Sequence, residues 1–139
     1  MEILKTTSKK IQTVVVVDRN GLPIISYDTR MKKRIDPSQE MVIAGIAAAV
    51  LSLAESSSTV LNQGNLKELI IKKEKGSIII LDAGENAILI GILPPNIGYD
   101  APVVSLKIIA GQIKKLQFSS NSMVPKPENG ANILIPDID

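Results

Sequence analysis

Four consecutive valines, Val14, Val15, Val16 and Val17, run into Asp18 and are followed at once by Arg19, Asn20 and Gly21. A β-branched run with no polar face reads as a strand buried on both sides, placed here over residues 11–18 and at the centre of a sheet. Arg19, Asn20 and Gly21 supply the left-handed backbone positions of a tight hairpin, so the chain returns antiparallel over residues 22–28. Pro23 has no amide hydrogen to give to a ladder, which puts the returning strand at a sheet edge.

Three more strands are read over residues 66–73, 77–81 and 87–93, separated by turns at Lys75-Gly76 and at residues 83–86. The first alternates charge with Leu69 and Ile71 and reads as an edge. The other two are almost wholly apolar and read as interior. Between the hairpin and this meander lies a helix running to about residue 63, with Asp36 as its cap, Pro37 at its first position and Gln39 completing a capping box. A last helix spans residues 100–117, capped by Asp100. It buries Val103, Leu106, Ile109, Ala110, Ile113 and Leu116 and leaves Lys107, Lys114 and Lys115 outside.

Short links between strands force antiparallel pairing. The fold class is therefore α+β: a five-stranded antiparallel sheet in the order β-β-α-β-β-β-α, with a long helix after the second strand and a C-terminal helix, distinct from a doubly wound nucleotide fold. One domain is expected over residues 11–117, with a lead-in at 1–10. Residues 118–139 read as an irregular tail in which only Ile133, Leu134 and Ile135 can dock.

The long helix is apolar on two faces. Ile43, Ile46, Ala47, Val50, Leu53, Ala54 and Leu61 recur at helical spacing and read as the core stripe. Met41, Ala44, Gly45, Ala48 and Ser52 are small or apolar where a solvated helix carries Lys and Glu, which marks an interaction surface. The neighbouring edge strand, Leu66, Lys67, Glu68, Leu69, Ile70, Ile71, Lys72 and Lys73, offers unpaired backbone donors and acceptors. Helix and strand together suit a two-fold dimer, and Lys67, Lys72 and Lys73 guard the edge against the wrong partner.

Composition removes much chemistry. Among 139 residues there is no cysteine and no histidine, and aromatic residues make up 2%. That excludes a disulfide framework, a thiol nucleophile, a Ser/His/Asp triad and nearly every transition-metal site, and it counts against a base-stacking nucleic-acid surface. No Gly-rich phosphate cradle appears. Asp18, Asp28, Asp36, Asp82 and Asp100 each sit where aspartate satisfies backbone amides. No catalytic residue, cofactor or metal is expected.

The net charge of +2 is spread along the chain, and no stretch approaches the ~20 uninterrupted apolar residues of a membrane span, so the expected compartment is the cytoplasm. The one dense charge cluster is the loop of Arg30, Lys32, Lys33 and Arg34. It reads either as a solvated loop or as a contact for an acidic partner, anionic lipid or nucleic acid.

The hairpin VVVVDRNGLPIIS at residues 14–26, the helix DPSQEMVIAGIAAAVLSLAE at 36–55, the meander LKELIIKKEKGSIIILDAGENAILIGIL at 66–93 and the closing helix together resemble the Roadblock/dynein light chain family. The resemblance implies a homodimer, or a heterodimer with a paralogue, joined through the third strand and the long helix. It also implies a scaffold or regulator of a Ras-like small GTPase. Family members begin with a helix of several turns, whereas Thr6, Thr7 and Ser8 are poor helix formers, so that helix is expected to be short or missing. Ile133, Leu134 and Ile135 are then expected to cover the sheet face it would leave open.

An arginine finger for such a GTPase can come only from Arg19, Arg30 or Arg34, the chain's arginines. The alternatives are a profilin- or longin-like binding module and a small-molecule sensor using the sheet's concave face.

Overall fold

The computed structural model describes residues 2–123. Strands β1 (Thr13–Val17), β2 (Pro23–Asp28), β3 (Glu68–Lys73), β4 (Gly76–Asp82) and β5 (Ile88–Leu93) form one antiparallel sheet in the order β2-β1-β5-β4-β3. Helix α1 (Pro37–Leu61) carries the chain from one edge strand to the other, α2 (Asp100–Met123) follows β5, and a 3-10 helix (Glu2–Thr6) precedes β1. The element order is the expected one, with β2 and β3 at the edges. The centre belongs to β5, with β1 beside it, because β1 pairs with both β2 and β5.

Every residue of β1 is buried, and its pleat divides the core in two. Val15 and Val17 point with Ile80, Ile88 and Ile90 toward Ala44, Ala47 and Leu51 of α1. Val14 and Val16 point the other way with Ile79, Leu81 and Leu89, toward Leu106, Ile109 and Ile113 of α2 and Leu4 of the 3-10 helix. Each such aliphatic side chain contributes about 1.5–3 kcal/mol when fully buried. Each face of the sheet thus carries a helix, and α2 with Leu4 packs on the face for which a tail segment was expected. Ile133, Leu134 and Ile135 lie outside the described residues.

In the β1–β2 hairpin only Gly21 takes a left-handed conformation (φ 89°). Asp18 closes the turn by accepting the amides of Asn20 and Leu22, both at 2.9 Å. At the head of α1, Asp36 accepts the Ser38 amide and hydroxyl (3.4 and 2.7 Å). The capping side chain is as expected, with Ser38 as its partner.

Gly91 in β5 lies beneath Leu106: a Cβ there would stand 2.6 Å from Leu106 Cδ1, so its absence lets α2 settle on the sheet. α2 also extends to Met123, past the expected end at residue 117. By length and composition alone, Pro37–Ser57 of α1 could cross a membrane, at a mean hydropathy of 1.5. The fold uses it otherwise, with one face packed on the sheet.

Candidate functional site

The faces of α1 differ from the expected ones. Its buried stripe is Glu40, Ala44, Ala47 and Leu51, with Ile43 and Val50 partly covered. Ile46, Leu53 and Leu61, expected in the core, are exposed, Leu53 by 74%. Ala44, expected on the interaction face, is fully buried inside its own domain. Small alanines let the helix axis approach the sheet closely, so the tightest face is the alanine face and the bulky side chains turn outward.

An apolar ridge results, in which Val42, Ile46, Leu53 and Val60 project into solvent with Ala49 between them. Met41, Gly45 and Ser52 flank it, exposed as expected. Ala48 sits half-buried against the hairpin, where a Cβ on Gly21 would come within 3.0 Å of its own.

Beside this ridge the sheet is only half covered. Leu69 and Ile71 of β3 lie opposite Ile80 and Ile78 of β4 on the α1 side, and Leu69, Ile71 and Ile78 remain partly exposed. Two adjoining grooves, about 470 and 500 Å³, follow the lower margin of this face and share Gln12 and Ile92; the first reaches Val42 and Ile43 of α1.

The other face of β3 is fastened down. Glu68 pairs with Lys107 of α2 (3.2 Å), Ile70 packs on the α2-side core, and the Lys72 ammonium lies 5.7 Å from the ring centre of Tyr99. Of the edge lysines, Lys72 therefore has an internal role. Leu66 is partly buried beneath α1, and Lys67 and Lys73 are exposed.

The basic loop is an ordered turn whose members have different fates. Asp28 accepts the amides of Arg30 (2.8 Å) and Met31 (3.0 Å), and its own amide donates to the Lys33 carbonyl. Lys32 stands in the left-handed region (φ 57°). Arg34 turns inward: Nε and Nη2 donate to Glu40 Oε2 (2.6 Å) and Oε1 (2.9 Å). Ser26 Oγ also donates to Glu40 Oε2.

Arg34 stays half exposed, and its guanidinium at the same time compensates a carboxylate that is 1% exposed. Glu40 is held below its ordinary acidity range by Arg34 first, against the opposing effect of burial, with Ser26 adding to the lowering. The sequence gives little sign of this pair, since a glutamate in the first turn of a helix reads as a favourable dipole contact.

Arg19 is occupied as well. Its Nη2 donates to Asp82 Oδ1 (2.6 Å) and the Gly84 carbonyl (3.1 Å), Nε donates to the Glu85 carbonyl (2.8 Å), and Nη1 is 3.5 Å from Glu55. Lys114 of α2 reaches the second Asp82 oxygen at 3.3 Å. Asp82, expected to serve backbone amides, does so at Gly84 (3.3 Å) and also joins α2 to the hairpin through Lys114 and Arg19, while Arg19 reaches α1 through Glu55. Among the described residues, Arg30 is the arginine without an ion pair.

An antiparallel sheet carried between two helices, with apolar ground left open along one helix and one edge strand, defines an α+β sandwich that displays surfaces. The chain belongs to the Roadblock/LC7 domain family, whose model matches residues 4–93. No curated protein matches it in sequence.

Among solved structures, an MglB with a tetrameric arrangement is similar over 86% of this chain and 88% of its own, at 16% identity and a TM-score of 0.75. Myxococcus xanthus MglB is similar over 86% and 97%, at 16% identity and a TM-score of 0.72. A Roadblock/LC7 domain from Streptomyces avermitilis is similar over 84% and 92%, at 12% identity and a TM-score of 0.72. At these identities the likeness is one of fold.

Proposed function

We propose that this chain is a cytoplasmic Roadblock regulator that dimerises, with itself or a paralogue, and in that form binds a Ras-like small GTPase and modulates its nucleotide cycle without supplying catalytic groups. The reading rests on the α1 ridge standing beside the half-covered margin of β3 and β4. In a two-fold pair, the ridge of one copy lies on Leu69, Ile71 and Ile78 of the other, and the two β3 edges face each other. The interface then comprises Met41, Gly45, Ala48 and Ser52 with Val42, Ile46, Ala49 and Leu53, together with residues 66–73. Ala44 supports it from beneath.

Family membership and the fold likeness to MglB favour a GTPase partner over a profilin- or longin-like role. On the partner side, the loop of Arg30, Lys32, Lys33 and Arg34 offers its charges to acidic groups, Arg34 while also pairing with Glu40.

Sedimentation of the purified chain, followed by titration with Ras-like GTPases loaded with GDP or a non-hydrolysable GTP analogue, tests this reading. A dimer mass and nucleotide-dependent binding are expected. A strict monomer overturns the interface, and a dimer that binds none of the GTPases in either state overturns the regulator.

A further inference from the structure

A second apolar surface stands on the opposite side of the domain from the α1 ridge. α2 buries Leu106, Ile109, Ala110 and Ile113 against the sheet. Val104 and Ile108, one turn apart on its outward side, are each 58% exposed. Exposed Ala101 and partly exposed Gly111 continue the strip at helical spacing.

Basic side chains border this strip. Lys115 and the Glu68-paired Lys107 lie on the helix, and the bond from the Ser8 amide to Ser105 Oγ (3.4 Å) anchors the backbone just before the exposed Lys9 and Lys10 to the same helix. Asp100 is the sole acid of α2. An apolar strip with a basic border fits an aliphatic segment with acidic flanks.

The chain itself carries such a segment. Residues 124–139 include Ile133, Leu134, Ile135 and Ile138, and set Glu128, Asp137 and Asp139 against one lysine, Lys126. Going back from Met123 to Ile108 along a helix covers about 22 Å at ~1.5 Å per residue. The ten residues from Met123 to Ile133 reach up to about 33 Å when extended.

We propose that residues 133–138 dock on the Val104–Ile108 strip of the same molecule, so that α2 carries an internal occupant while α1 and β3 stay available. This does not depend on the GTPase reading, and it replaces the sheet face with the outward face of α2 as the place where the tail aliphatics bind.

The chain has no cysteine, so Asn132→Cys in the full chain carries a single nitroxide. Its broadening of amide signals in a ¹⁵N spectrum reads out docking. The expected result is broadening centred on Val104 and Ile108, with Val42 and Leu53 of α1 spared. It should be absent when ¹⁵N-labelled chains without nitroxide are mixed with unlabelled nitroxide-bearing chains. Ile108→Glu, or Leu134→Glu where the first variant does not fold, should remove at least half of it. Broadening that is absent at α2, centred on α1, carried between chains or unmoved by the substitution overturns the proposal.

Discussion

Arg34 grips the buried carboxylate of Glu40 with two hydrogen bonds, Nε to Oε2 at 2.6 Å and Nη2 to Oε1 at 2.9 Å, across the junction of β2 and α1. Ionised pairs of this two-pronged kind are among the stronger polar contacts, and removing one member leaves a buried charge without its counterion. Because Arg34 itself is half exposed and Ser26 still donates to Glu40, Arg34→Met should cost less than for a fully buried pair, about 1–2 kcal/mol of stability at neutral pH. Urea unfolding of the two proteins measures the difference, and a change confined to a few tenths would mean that water reaches Glu40.

The same pair sets a pH dependence. With its acidity strengthened in the folded state, Glu40 binds a proton more weakly there than in the unfolded chain. Its contribution is fully present above the ordinary glutamate range and is lost as pH falls through the folded value. The gap between wild type and Arg34→Met should accordingly narrow on acidification below that range. Unfolding midpoints taken between pH 7 and pH 3 check the trend, and a gap that widens contradicts it.

Gly76 opens β4 at φ 150°, and a Cβ there would sit 2.6 Å from the Leu93 carbonyl oxygen. The obstacle is backbone in an interior strand, which cannot swing aside as a side-chain tip can. Gly76→Ala should destabilise by about 2 kcal/mol through strain at the β3–β4 turn. Thermal unfolding detects the loss, and an unchanged melting temperature would show that the turn relaxes freely.

Leu53 is 74% exposed on the α1 ridge, so Leu53→Glu should leave the isolated fold intact. In the proposed dimer it places a charge in an apolar contact and should weaken association by about 100-fold, equivalent to roughly 3 kcal/mol. Sedimentation equilibrium reads the dissociation constant directly. Association unaffected by Leu53→Glu would move the interface away from this ridge.

Arg19 binds the hairpin to Asp82 and Glu55. Arg19→Ala should cost about 1–2 kcal/mol, more than an isolated surface pair because several partners are lost at once. Any fall in GTPase stimulation should then follow the fall in folded protein. Stimulation abolished at an unchanged melting temperature would instead identify Arg19 as an arginine finger.

Much of the fold was legible in the sequence because strand runs and turn residues act locally. The hairpin, the meander, both edge strands and the antiparallel sense follow from Val14 to Val17, Gly21, Pro23, Lys75 and Gly76. The short first helix follows from the poor helix formers at residues 6–8. The surfaces were less legible. α1 is apolar around most of its circumference, so periodicity gives no preference between Leu53 and Ala44 for the core. The basic loop read as four equivalent charges, but position in space separates Arg34, tied to Glu40, from Arg30.

The sequence by itself determined which segments become strands and helices and how neighbouring strands pair, since those outcomes rest on backbone preferences and contacts close along the chain. Only the tertiary structure decided which face of α1 meets the sheet and which arginines are engaged. Those outcomes depend on how closely an alanine face can approach the sheet and on partners far apart in sequence, Arg19 with Asp82 and Lys107 with Glu68, which no local pattern encodes.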